Sequence, residues 1–199
     1  FNKTTGIVTG IVSNLVTVKT NGPIAENELC FITLDGTPLL AEVIKIKGDL
    51  ASVQIFESSR GLKNGDPVEF EGRMLEATLG PGLLSSVYDG LQNNLTTMGG
   101  VFLKRGEYTD PLDHEKLWDY TPLAKPGDKV IAADWLGEVQ EGWLPHKIMV
   151  PFTFEGEYQV KSIVPAGQYN VDKVIAVLVN EAGEDVEVTM TQRWPVKVA

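Results

Sequence analysis

The chain has 199 residues, 43% apolar and 22% charged, a balance that excludes disorder and suits one large domain or two small ones. A net charge of −10 without a basic stripe excludes a nucleic-acid backbone as partner. The longest apolar run, Val174–Val179, is too short to span a bilayer, and a single cysteine, Cys30, precludes an intrachain disulfide. With only two histidines the chain suggests no zinc site. The start, Phe1-Asn2-Lys3-Thr4-Thr5, has no secretory pattern, so a soluble intracellular protein or a piece of one is expected.

The first seventy residues read as short strands: Gly6–Val12, Leu15–Lys19, Leu29–Ile32, Leu39–Lys47, Ala51–Phe56 and Val68–Phe70. Ser13-Asn14, Gly48-Asp49 and the stretch Gly61–Pro67 supply turns between them. Five or six such strands with little helix predict a small closed barrel, which leaves no free edge. After the punctuation Leu79-Gly80-Pro81-Gly82, the residues Leu83, Leu84, Val87, Tyr88 and Leu91 recur at helical spacing, predicting one short amphipathic helix that ends by Asn93-Asn94 and Gly99-Gly100. A second helical turn is expected at Asp113–Trp118. From Gly127 the pattern is β again and weakly repeated. Gly127-Asp128-Lys129-Val130 leading to Trp135–Val139 is echoed by Gly167-Gln168-Tyr169 leading to Val174–Leu178, which predicts a flattened β-sandwich with pseudo-two-fold symmetry. The stop on the apolar stretch Trp194–Ala199 reads as a truncation.

Few residues carry chemistry. Gly80-Pro81-Gly82 lacks the Gly-Lys-Ser/Thr of a phosphate loop and reads as a rigid turn feeding a helix. His114 and His146 lie in separate segments without a partner motif, and Asp110, Asp113, Glu115 and Asp119 read as a solvated acidic run. Cys30 reads as a small core residue. Trp135 and Trp143 stand in a glycine-rich hairpin, where Trp143 beside Gly142 is the candidate for exposure. The apolar residues Leu83, Leu84, Val87, Tyr88 and Leu91 lack an evident partner in the chain, and with Trp143 they form the candidate interface. No Ser-His-Asp set, metal cluster or carboxylate pair emerges. His146-Lys147-Ile148-Met149, between the two half-repeats, resembles the hairpin tip on which biotinyl and lipoyl carrier domains display a modified lysine. A stand-alone carrier module with Lys147 modified is therefore one alternative, and a generic all-β interaction protein is another.

Ala41-Glu42-Val43-Ile44, Val53–Glu57 and Gly61-Leu62 resemble the N-terminal barrel of the rotary ATPases. Leu79–Leu84, Tyr88–Gln92, Phe102–Gly106, His146–Pro151, Gly167-Gln168-Tyr169 and Gln192–Val196 resemble the catalytic A subunits of V/A-type ATP synthases. Gln92-Asn93, standing where Gln-Arg-Pro is common, resembles the bacterial members. The resemblance runs in order through nearly the whole chain and implies four parts. These are a β-barrel over 1–72, a connector with a short helix over 73–110 that packs on the nucleotide-binding domain, and an A-specific barrel-sandwich insertion over 111–188. A return segment over 189–199 completes the set. It further implies a parent that couples ATP hydrolysis or synthesis to proton or sodium transport. That parent would use Mg-ATP and sit peripheral to the membrane in the cytoplasmic head. Its implied partners are B subunits in an alternating hexameric ring, peripheral-stalk subunits and the central stalk. The Walker loop and catalytic glutamate of the family lie downstream of the Trp-Pro-Val motif. The resemblance therefore places no catalytic, nucleotide-binding or metal residue in this chain, and no cofactor.

Overall fold

A computed structural model of the chain describes residues 3–84, 86–97 and 105–197. The chain divides into two compact units, the first built on Phe1–Glu76 with Gly100–Tyr108 and Pro195–Ala199, the second on Ala77–Gly99 with Thr109–Trp194.

In the first unit six antiparallel strands close into a barrel. They are β1 (Thr5–Val12), β2 (Leu15–Thr20), β3 (Glu28–Leu34), β4 (Thr37–Lys47), β5 (Leu50–Ile55) and β6 (Pro67–Met74). Their order is β1-β2-β5-β4-β3-β6, and β6 pairs back onto β1 through Thr5↔Glu69 and Gly6↔Val68. Two-residue turns at Ser13-Asn14, Asp35-Gly36 and Gly48-Asp49 set the hairpin registers, with Val12↔Leu15, Leu34↔Thr37 and Lys47↔Leu50 flanking them. Alternation then does the packing. Val16, Val18, Ile32, Leu39, Val43, Ala51 and Val53 are fully buried; Thr17 and Ser52 between them are only partly covered, whereas in β4 the run Leu39–Val43 is buried on both faces. Cys30 belongs to this core, and burial pushes its thiol up to about 12, which leaves it inert at neutral pH. Arg105–Tyr108 straps the barrel from outside. Glu57 accepts from the Gly106 amide (3.0 Å) and the Tyr108 hydroxyl (2.7 Å), that hydroxyl accepts from the Leu40 amide, and the Arg105 guanidinium donates to the carbonyls of Ser58 and Arg60.

The second unit contains β7 (Glu76–Leu79), then eight strands of a sandwich: β8 (Trp118–Pro122), β9 (Lys129–Val130), β10 (Trp135–Glu141), β11 (Leu144–Met149), β12 (Tyr158–Ile163), β13 (Gly167–Tyr169), β14 (Ala176–Val179) and β15 (Asp185–Val188). A final strand, β16 (Gln192–Pro195), pairs with β7. The sandwich sheets run β11-β10-β8-β13 and β15-β14-β12-β9. Matching β8–β11 with β12–β15 superposes one order on the other, and the short second strand of each half crosses to the opposite sheet. The repeat visible around Gly127 and Gly167 is thus a strand exchange that ties the two halves over one core. Tyr120, Leu136, Val139, Ile148, Val160, Ile175 and Leu178 fill that core. Gly137 is required here, because a Cβ on it would lie 2.3 Å from the Tyr120 ring.

Two elements depart from expectation. Among the described residues there is no helix, neither over Leu83–Leu91 nor at Asp113–Trp118. Polar side chains take the backbone bonds a helix would need. The Asp89 carboxylate accepts from the amides of Leu91 and Asn93, Gln92 adopts φ 64°, and Tyr88 forms an antiparallel bridge with Asn94. Asp113 likewise accepts from the Glu115 and Lys116 amides just before β8 begins. Gly99-Gly100 and Phe102–Lys104 lie outside the described residues.

Candidate functional site

The loop Leu79–Leu84 and the β10–β11 hairpin meet around one buried carboxylate. Glu141, the last residue of β10, is 7% exposed. Its Oε1 accepts from the Gly82 amide (2.7 Å) and the Leu84 amide (3.0 Å). Its Oε2 lies 2.7 Å from His146 Nδ1, and because an ionised carboxylate only accepts, that ring nitrogen donates. Gly82 makes the approach feasible: its φ is +110°, and the Trp118 ring edge would lie 3.5 Å from any Cβ there. Leu112 packs beneath the same loop, against Gly80 and Gly82.

Beside this clasp is an apolar cavity of about 280 Å³, walled by Leu79, Leu83, Leu84, Ile148, Met149 and Met190. Phe152 closes one side, in an edge-on contact with Trp194 at 4.9 Å. The candidate interface residues divide accordingly. Leu83 and Leu84 line the cavity, while Leu84, Val87 and Trp143 are exposed at 48%, 59% and 85%. Tyr88 and Leu91 are half-buried, Tyr88 donating to the Pro111 carbonyl and Leu91 tied by its amide to Asp89. Gln92 acts as a surrogate strand, its amide accepting from the nitrogen and donating to the oxygen of Thr78. Asn93, 4% exposed, joins Asp89 to the Thr109 amide.

Lys147 is not at a hairpin tip. The β10–β11 tip is Gly142-Trp143, whereas Lys147 lies within β11 opposite Glu138. Its ammonium is bonded to the Glu138 carboxylate and lies 4.8 Å from the Trp135 ring centroid. The link between the two half-repeats, residues 150–157, contains no lysine. A strand residue with a paired ammonium is not presented to a modifying enzyme, so the carrier alternative loses its geometric basis. His114 does have partners: Asp172 at 2.7 Å and Asp110 at 3.0 Å, whose hydrogen bonds raise its pKa above the ordinary imidazole value.

The Gly80-Pro81-Gly82 loop does not fit a triphosphate. The amides of Gly82 and Leu84, which could face an anion, already donate to Glu141, and no helix follows the loop among the described residues. Glu141 itself was illegible in sequence. Beside Gly142-Trp143 at a turn, it has the signature of a solvated carboxylate.

These two modules, a closed six-stranded barrel and a strand-exchanged sandwich, match two family models. Residues 8–72 match the ATP synthase alpha/beta family β-barrel domain, and residues 109–197 match the alpha/beta subunit barrel-sandwich domain. The chain belongs to the ATP synthase alpha/beta family. Within it, the similarity is to the N-terminal region of V-type ATP synthase alpha chains. The chain is 46% identical over 200 residues to that of Treponema denticola, covering 99% of this chain and 34% of the relative. It is 46% identical over 196 residues to that of Borrelia turicatae and 47% over 196 to that of Borrelia recurrentis, covering 97% of this chain and 34% of each relative. The chain thus spans about a third of the length of these relatives. No helix among the described residues is long and apolar enough to cross a membrane.

Proposed function

We propose that this chain is the non-catalytic assembly region of a V-type ATP synthase alpha (A) subunit whose whole protein couples ATP hydrolysis or synthesis to proton or sodium transport. The barrel holds neighbouring beta (B) subunits in an alternating ring. The sandwich offers a surface to peripheral-stalk subunits, and the central stalk is engaged through the rest of the parent. Mg-ATP belongs to the parent's nucleotide-binding domain, and the head containing it lies at the cytoplasmic face of the membrane. The segment over 73–110 packs on that domain, using Leu83, Leu84, Val87, Tyr88 and Leu91.

The observation that carries this reading is the internal occupancy of the Gly80-Pro81-Gly82 loop by Glu141: the Gly82 and Leu84 amides are spent on holding the fold. Exposed Leu84, Val87 and Trp143 are the large apolar side chains that support an assembly role. Calorimetric titration with Mg-ATP tests the non-catalytic part, and no saturable micromolar binding is expected. Native mass spectrometry with a V-type beta chain tests the assembly part, since a chain that forms no complex with it would contradict the ring reading.

A further inference from the structure

His114 stands between two carboxylates at a joint within the second unit. Its Nδ1 lies 2.7 Å from Asp172 Oδ2, and its Nε2 lies 3.0 Å from Asp110 Oδ2. Nε2 is sealed from solvent and, the Asp110 contact aside, has no partner among the described residues. Ionised carboxylates only accept, so both contacts are satisfied together only when both ring nitrogens bear protons. Asp110 and Asp172 are the charged groups that face the ring. Asp113, on the same turn, is committed to the Glu115 and Lys116 amides, and the Lys116 ammonium lies over the Trp118 ring. The two carboxylates belong to different parts of the unit. Asp172 follows Val171, which is fully buried and whose carbonyl accepts from the Met190 amide, so this arm is fixed to the sandwich core. Asp110 lies in the short segment 109–112, which carries the preceding loop. The Thr109 amide donates to Asn93, its hydroxyl accepts from the Asn94 amide, and the Pro111 carbonyl accepts from the Tyr88 hydroxyl. Leu112, whose amide donates to Asp110, packs beneath Gly80 and Gly82.

We propose that His114 is a pH-sensitive latch: as an imidazolium it bridges Asp110 and Asp172 and fastens residues 109–112, with the loop they carry, to the sandwich, and losing its proton slackens that hold. In the neutral ring the shorter bond from Nδ1 to Asp172 persists without its ionic part. The Nε2 lone pair then meets the Asp110 carboxylate, and that arm opens. The direction in pH follows from the same two carboxylates. Asp172 and then Asp110 hold the imidazole above its ordinary 6.5, so the latch is closed in mild acid and slackens as pH rises through the raised folded value. All three side chains are about half-exposed, so water limits the hold, and the response is severalfold rather than orders of magnitude. The loop includes exposed Leu84 and Val87. Its consequence for assembly rests on the reading above, whereas the latch itself does not.

The test follows the full ¹⁵N-labelled chain by NMR from about pH 5.5 to about pH 8.5, the range in which a raised histidine titrates. The Asn94 and Thr109 amide resonances of the folded chain should move with the midpoint of the His114 ring itself. Their exchange protection factors, which remove the intrinsic pH dependence of exchange, should fall by about three- to tenfold over the same range. His114→Gln should abolish both responses, and Asp172→Asn should shift their midpoint to lower pH. Asn94 and Thr109 resonances that ignore the His114 titration, with shifts confined to residues 110–116 and 170–174, would overturn the latch by reducing His114 to a local ion pair. A response that survives in His114→Gln would overturn it equally. No beta chain or nucleotide enters the measurement, so its failure and that of the assembly reading are separately visible.

Discussion

Replacing Glu141 with alanine isolates the clasp that joins the β10–β11 hairpin to the Gly82–Leu84 loop. The substitution removes three hydrogen bonds, two from backbone amides at 2.7 and 3.0 Å and one from His146 at 2.7 Å. Bonds to a charged group contribute roughly 1.5–3 kcal/mol each when the partner is left without water. Here Leu84 is half-exposed and the His146 side chain is 25% exposed, so water replaces part of the loss. The expected destabilisation is therefore about 2–4 kcal/mol rather than the full sum. Glu141→Gln should cost about half as much. Its amide oxygen still accepts from the two backbone amides, but its NH₂ meets a ring nitrogen that must change tautomer to accept.

The assay is urea unfolding followed by tryptophan fluorescence. All four tryptophans, Trp118, Trp135, Trp143 and Trp194, lie in the second unit, so the signal reports that unit without interference from the barrel. Hydrogen exchange supplies a local readout. The Gly82 and Leu84 amides should lose protection by a factor of about 30 or more, as 2 kcal/mol requires at about 1.4 kcal/mol per decade. A Glu141→Ala variant within about 0.5 kcal/mol of the parent, with both amides still protected, would refute the reasoning.

Three further outcomes are expected. Glu42 has a side chain only 4% exposed and both its oxygens lie 2.7 Å from Lys197 Nζ, so Lys197→Met should destabilise the barrel by about 1–3 kcal/mol. Circular dichroism unfolding checks this, and Glu42→Gln added to Lys197→Met should recover much of the loss. His114, raised by Asp172 and then Asp110, adds stability that is fully present below its unfolded pKa near 6.5 and disappears as pH rises through the higher folded value. An NMR titration should place its pKa above 6.5 and lower it in Asp172→Asn; a value at or below 6.5 would contradict the bridge. Lys147, paired to Glu138 within β11, should remain unmodified when the chain is co-expressed with biotinyl or lipoyl ligases, as intact mass would show.

The barrel was legible because its physics is local and periodic. Val16 and Val18 face the core while Thr17 and Lys19 do not, and two-residue turns fix where each strand must stop. The sandwich repeat was legible for the same reason, though not the exchange of β9 and β13 between sheets, which depends on pairings 28–30 and 47–51 residues apart. The segment Leu83–Leu91 shows where periodicity misleads. Its apolar spacing suits a helix, but Asp89, Gln92 and Asn93 offer the backbone competing partners, and those bonds win because they also reach Thr78 and Thr109.

Glu141 extends that lesson to the site. Sequence assigns a carboxylate beside Gly-Trp to solvent, since buried acids are rare and costly without partners. Its partners here are two amides almost sixty residues earlier in the chain, exposed for capture only because Gly82 turns the backbone at positive φ. Such a carboxylate becomes recognisable only once the fold supplies those donors. The same capture removes the loop's capacity to hold a phosphate. One buried acid thus fixes the hairpin and gives the Gly-Pro-Gly turn a structural task.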